Sequence, residues 1–146
     1  MRQYKSIDYR YKCYPRFQDT DAYGIVHHSK YLCYAEEAKM AFMSDDRYFG
    51  VQVIDEECKF VVRDASLRYI QAVRYKSNEP IDVRLHFRIE DEIRVVFTFE
   101  MFYMNQKVCT GRTEHLAVGK DGQLKLSIPE GLKNKYLCLI EKGEDV

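Results

Sequence analysis

Apolar and polar residues alternate in several stretches of the chain and fall at helical spacing in two others. Tyr9, Tyr11 and Cys13 alternate with polar neighbours inside a run from Tyr4 to Phe17, predicting a strand that ends near Pro15, where the ladder loses a donor. From Ser29, which can cap a helix, Tyr31, Tyr34, Ala35, Ala38, Ala41 and Phe42 keep helical spacing, with Lys30, Glu37 and Lys39 mostly off that stripe. This helix should run to about Ser44, where "SDDRYFG" breaks it.

Alternation returns in "KFVVRDASLRYIQAV", through Val61, Arg63, Ala65, Leu67 and Tyr69. "IDVRLHFRI" places Val83, Leu85, Phe87 and Ile89 on one face and Arg84, His86 and Arg88 on the other. "IRVVFTFEMFYM" repeats the pattern after an acidic turn at Glu90 to Glu92, and Asn105-Gln106 reverses the chain into "KVCTGRTEHLAVG" and the turn "GKDGQ". Strands joined by so few residues pair antiparallel, which predicts a meander. After Pro129, "EGLKNKYLCLIEK" reads as a short closing helix with Leu132, Tyr136, Leu139 and Ile140 on one side and Gly143 near its end. The expected class is α+β, one main helix on the apolar face of an antiparallel sheet, and at 146 residues, 1–146 is read as one domain.

Composition narrows the function classes. Lys+Arg and Asp+Glu both number 23 and the cations are dispersed, so a nucleic-acid partner is not expected. The stretch "MRQYKSIDYRYK" carries charge and Tyr where a signal peptide would need an apolar run, and no segment approaches the ~20 apolar residues of a membrane span, so a cytoplasmic protein is expected. Five cysteines without a C-x-x-C pair fit reduced thiols packed as small hydrophobes, with no context that singles out a nucleophile.

One stretch, "RFQDTDAYGIVHH" from Arg16 to His28, fits neither period. It begins like a calcium loop, with Asp19, Asp21 and Gly24 in place, but Lys30 stands where the bidentate Glu is required. His27 and His28 are adjacent rather than at i, i+4, so a helical zinc pair is not formed, although His86 and His115 could converge. Motifs for a serine hydrolase, a P-loop and a dinucleotide fold are missing. There remains a carboxylate before a helix start, whose unpaired N–H groups can bind an oxygen that turns negative during acyl transfer. Asp21 could attack or deprotonate water; equally, Asp19 and Asp21 could serve only as hydrogen-bond acceptors in a turn.

Phe17 to Ala38 carries the pattern F-x-D-T-D-A-x-G-I-V-x-H-x-x-Y-L-x-x-x-E-x-A and here resembles the 4-hydroxybenzoyl-CoA thioesterase family of hot-dog proteins, within it the small Tol-Pal-associated acyl-CoA thioesterases. "FVVRDASLRYIQAVRYKSNEPIDVRL" and "GRTEHLAV" follow that family more loosely and in order. The resemblance implies a hot-dog fold, a curved antiparallel sheet wrapped around one long helix, in a homodimer or homotetramer with sites at subunit interfaces. It implies hydrolysis of an acyl-CoA without metal or further cofactor, CoA being part of the substrate. The catalytic carboxylate maps onto Asp21 and the carbonyl-polarising N–H onto His28 or its neighbours, the His28 ring shaping the site or aiding proton transfer. Gly24, Val26 and Tyr31 fall on substrate-binding positions, Tyr31 equally readable as a core aromatic and Glu36 as an ion-paired helix residue; His27 stands at a variable position.

One departure stands out. Some relatives carry basic residues at the turn between the third and fourth strands, where this chain has "EDE", so CoA phosphate contacts fall among Arg63, Arg68, Arg74, Lys76, Arg88 and Arg94 on charge alone. Two rival functions follow from the same fold: a hydratase or dehydratase acting on acyl thioesters, and a non-catalytic acyl-thioester binding module.

Overall fold

In the computed structural model, residues 5–50, 58–119, 121–124 and 127–142 are described. Tyr4, Lys120 and Gly143, which enter the expected first strand, last turn and closing helix, lie outside the described residues. The order is β1 (Ile7–Cys13), a 3-10 turn (Phe17–Asp19), α1 (Lys30–Ser44), β2 (Cys58–Tyr69), β3 (Ile81–Ile89), β4 (Arg94–Tyr103), β5 (Gln106–Gly119) and α2 (Glu130–Lys142). Both helices and all the strands match the expected elements.

The five strands form one antiparallel sheet ordered β1-β3-β4-β5-β2. Hairpins join β3 to β4 and β4 to β5, the second through Met104 (φ 49°) and Asn105 (φ 65°), the two left-handed residues that match a turn to strand twist. The meander holds only for these three. β2 lies beyond β5 at the far edge, because the connection from Tyr69 to Ile81 is too long for a hairpin and spends its backbone groups elsewhere. There the Val26 N–H donates to the Val73 carbonyl at 2.9 Å, and Ile25 bridges Arg74.

Period-two alternation sends Val83, Leu85 and Phe87 to the buried face with Phe97, Phe99 and Met101 of β4 beside them. The opposite face is polar and internally paired: His86 Nδ1 lies 2.7 Å from Asp8, Lys107 is 2.7 Å from Glu100, and the Arg84 guanidinium stacks 4.0 Å from the Phe102 ring centroid. His86 and His115 therefore sit on opposite faces and do not converge, since His115 pairs with inward Val95 and His86 with outward Thr98. Among the described residues no group of three or more His, Cys, Asp or Glu side chains is placed to hold a metal ion.

α1 lies against β1 and β3 through Tyr31, Tyr34, Ala35, Ala38 and Phe42. Its alanines let the helix axis approach the sheet, and Phe42 then fills the space among Tyr9, Phe49, Phe87 and Phe97, with centroid separations from 5.2 to 6.2 Å. Lys39, expected off the stripe, is buried with it at 5 % exposure. α2 closes the other side with Leu132 and Tyr136, whose ring stands edge-on to Phe87 at 5.8 Å. Among the described residues no helix is long and apolar enough to cross a membrane.

Two irregularities in β2 and β5 set local geometry. A bulge between Val62 and Asp64 shifts the alternation, so Val62, which pairs with His115, shares the inward face with Ala65, Leu67 and Tyr69, whereas Val61 and Arg63 leave it. Gly111 lies between Phe99 and Leu67; an added Cβ would stand 2.3 Å from Phe99 Cζ and 2.7 Å from Leu67 Cδ2. Phe99 is fully buried and has nowhere to retreat. Gly111→Ala is therefore expected to cost about 1–3 kcal/mol, read as a lower midpoint in urea unfolding with an unchanged slope.

Candidate active site

The polar stretch folds into a turn, a bridge and a helix entry. Asp19 ties the turn together: its Oδ2 accepts the Arg16 N–H at 3.0 Å and the Tyr34 hydroxyl at 2.8 Å, fastening the loop to α1. Burial first, then this bond to Asp19, pushes the Tyr34 phenol up, so Tyr34 stays a donor. The Thr20 hydroxyl donates to the Phe17 carbonyl at 2.7 Å. Asp19 and Thr20 thus shape the turn.

Asp21 is held differently. Its Oδ1 accepts the Tyr23 N–H at 2.8 Å and the Ile25 N–H at 3.4 Å, while its own N–H donates to the Ile25 carbonyl at 2.8 Å. One carboxylate oxygen is locked by the local turn, as Asp does readily. The other, Oδ2, makes no hydrogen bond within the described residues and is left available at a half-buried position. Gly24 supplies the left-handed φ of 78° that closes this turn, and an added Cβ there would meet nothing within 4 Å. Its conformation, rather than crowding within the chain, requires glycine.

α1 is entered over an imidazole rather than the expected Ser29 hydroxyl. Ser29 already has helical φ and ψ and makes no side-chain cap; its N–H donates to His27 Nδ1 at 3.2 Å, with its hydroxyl 2.8 Å from the same nitrogen. The Lys30 N–H donates to the His27 carbonyl at 3.0 Å. His27, unremarkable in the sequence, occupies the helix entry, and only its Ser/Lys neighbours hinted at a cap. The N–H of His28 makes no hydrogen bond within the described residues. The His28 carbonyl accepts the Tyr69 hydroxyl at 2.9 Å, and its exposed ring lies 4.2 Å from that of His27.

Val26 and Tyr31 sit deeper. Val26 is buried and bridges Thr20, and Tyr31 packs edge-on against Tyr34 and Tyr69 at 6.3 and 5.3 Å. Burial pushes the Tyr31 phenol up to about 12, so it remains neutral. Glu36 pairs with Lys39 at 2.8 Å on α1. Burial likewise pushes the Cys109 thiol up to about 11 and the Cys13 thiol higher still, which disfavours either as a thiolate nucleophile. Of the candidate cations, Arg88 and Arg94 are tied to Glu90 and Asp91, whereas Arg74 and Lys76 border a groove of about 640 Å³ beside Tyr23 and Ile25.

A second polar group lies further along α1. Lys39 Nζ stands 3.4 Å from His115 Nε2, which also faces the Thr113 hydroxyl at 3.2 Å. Burial, reinforced by the Lys39 charge, pulls the His115 pKa down to about 4.

Residues 15–136 match the family described as the thioesterase-like superfamily, and the chain belongs to it. A protein of Aquifex aeolicus (strain VF5) named "Putative esterase" is 31% identical over 118 residues, 79% of this chain and 87% of that protein. Among solved structures, the 1,4-dihydroxy-2-naphthoyl-CoA thioesterase of Synechocystis superposes with a TM-score of 0.77 at 17% identity, covering 90% of this chain and 97% of that one. A hypothetical protein of Aquifex aeolicus gives 0.73 at 27% identity, covering 89% and 98%. The fold is the hot-dog fold of thioesterases, and the family supports thioester hydrolysis in general.

His115 gives a pH prediction. A buried imidazole with a folded pKa near 4 and an unfolded value near 6.5 contributes its stability in full above the unfolded value and loses it as pH falls through that window, because the unfolded chain takes up the proton first. The free energy of unfolding, from urea titrations followed by circular dichroism, should fall more steeply in wild type than in His115→Gln between about pH 7 and pH 4.5, by on the order of 1–3 kcal/mol.

Proposed function

We propose that the chain is an acyl-CoA thioesterase of the 4-hydroxybenzoyl-CoA type, close to the small Tol-Pal-associated enzymes, and that it needs no cofactor beyond the CoA of its substrate. One observation carries this reading: Asp21 presents a free Oδ2 from a carboxylate whose other oxygen is locked, one short loop before a helix entry whose His28 N–H is unfilled. The thioester carbonyl oxygen accepts the His28 N–H, reinforced by the partial positive charge of the α1 terminus. Asp21 Oδ2 then takes a proton from water while the water oxygen bonds to the carbonyl carbon, or attacks that carbon itself to give a mixed anhydride that water hydrolyses after CoA has left. Collapse of the tetrahedral intermediate breaks the C–S bond, and the leaving thiolate of CoA takes up a proton.

Arg74 and Lys76 border the groove next to the Asp21 turn and make no ion pair within the described residues, which suits them to the CoA phosphates. Two of the similar structures are named as thioesterases of 1,4-dihydroxy-2-naphthoyl-CoA and gentisyl-coenzyme A, so hydroxylated aromatic acyl groups belong first in a substrate panel.

Thiol release from such a panel tests the assignment. Asp21→Asn should lower kcat by about 10²–10⁴-fold, and Arg74→Ala with Lys76→Ala should raise KM with little change in kcat. Equal turnover by wild type and Asp21→Asn sinks the role of Asp21; loss of an enoyl double bond without free thiol would make the protein a hydratase instead.

Assembly follows from the same reading. Among the described residues β2 pairs with β5 on one side only, and Val61 and Val62 are both exposed along it. Such an edge invites a second copy to continue the sheet. Light scattering should return two or four chain masses; a monomer that still turns over would overturn the interface.

A further inference from the structure

α1 covers the β1 and β3 side of the sheet, and its opposite flank leaves a cavity of about 520 Å³ against β2 and β5, closed below by Leu132 of α2. The walls are mostly apolar, with the rings of Phe60, Phe87 and Phe97 among them, yet Lys39 and His115 stand in the same lining. Both are nearly inaccessible, at 5 % and 6 % exposure. Nothing in the hydrolysis described above uses either.

Their hydrogen bonds are asymmetric. His115 Nε2 faces both Lys39 Nζ and the Thr113 hydroxyl, so it serves as the acceptor and the ring proton resides on Nδ1. Nδ1 makes no hydrogen bond within the described residues. The Lys39 ammonium has three donors, of which Glu36 at 2.8 Å and His115 take two. At its buried end the pocket thus keeps two uncommitted donors, one of them cationic, while the exposed Lys59 ammonium stands at its rim. That combination selects an apolar group carrying an oxygen acceptor at its far end.

Length can be read from the helix. Lys39 lies nine residues beyond Lys30, the first residue of α1, a rise of about 14 Å. Its side chain leans back one turn toward the N-terminus to reach Glu36, which brings the donors to roughly 10 Å from the helix entry. We propose that this cavity receives the acyl portion of the substrate, a flat fused-ring or phenyl-extended aromatic group, with Lys39 and His115 as the specificity residues that bind an oxygen at its distal end. The proposal rests on the thioesterase reading for where the carbonyl sits.

A matched pair separates it from that reading: 6-hydroxy-2-naphthoyl-CoA and 2-naphthoyl-CoA, which differ only in the distal oxygen. Calorimetry on Asp21→Asn reports their binding without turnover, and thiol release by the wild type is measured separately. The hydroxylated member should bind about tenfold or more tightly. Introducing Lys39→Met, which keeps side-chain length, should bring the two affinities within about twofold by weakening only the hydroxylated one. His115→Leu, checked for folding by its melt, should act in the same sense. Equal affinities on the parent, no binding of either, or a preference unchanged in both variants would overturn the proposal. Absence of thiol release with the binding preference intact would overturn the hydrolase reading and leave the oxygen-reading pocket standing.

Discussion

Phe42 sets the position of α1 and, through it, of the loop that carries the candidate site. It is fully buried, and rings from β1, β3, β4 and the segment after α1 converge on it. Burial of such a side chain contributes roughly 1.5–3 kcal/mol, and edge-on partners add to that. The geometric effect matters more. With Ala35 and Ala38 allowing close approach and Phe42 fixing the axial position, α1 cannot slide along the sheet, and so its first residues meet the loop from Arg16 to His28 at one defined place.

Within that loop two carboxylates of identical chemistry are given different tasks by their neighbours. Asp19 spends its Oδ2 on the Arg16 amide and the Tyr34 hydroxyl, the latter from the buried face of α1, so it joins loop and helix. Asp21, two residues on, satisfies one oxygen from amides of its own turn and keeps the other free. The bridge between Thr20 and Val26 and the bond from Val26 to Val73 then pin the loop to the connection after β2. The carboxylate of Asp21 is thereby fixed in place by its own turn before any ligand arrives.

How much of this was legible in the sequence depends on whether the signal was local. Alternation in β3 and β4 and the helical stripe of α1 are local, and they read correctly because each face has one environment along its whole length. The Asp-Thr-Asp turn was likewise legible, since Asp bonds to amides a few residues away. Three features were not. The bulge at Arg63 inverts the alternation of β2 partway along, and nothing in "KFVVRDASL" marks it because residues on both sides are similarly mixed. The place of β2 at the far edge depends on pairing with β5, which periodicity does not report. His27 as the helix-entry acceptor was hidden because Ser29 is the commoner cap, and the alternative is visible only when the imidazole is seen to reach the amide.

Lys39 was hidden for a related reason, and why it is there is a question of energy. A lysine one residue from a buried alanine would ordinarily extend to water. This one stays inside, paired with Glu36 and facing His115 and the Phe97 ring at 5.7 Å. A methionine of similar length would occupy that space without the desolvation cost of a buried ammonium, and replacing buried ion pairs by packed apolar groups is often neutral or stabilising. His115 adds to the cost, because it must remain neutral beside a cation. Stability alone therefore gives no reason for the pair. The inward positions around the pair are mostly apolar, among them Phe87, Val95, Phe97 and Leu132, which shows that apolar packing is available to this fold. Two polar groups kept against that background, on the wall of a cavity rather than sealed in a dry core, are accounted for by what the cavity is shaped to receive.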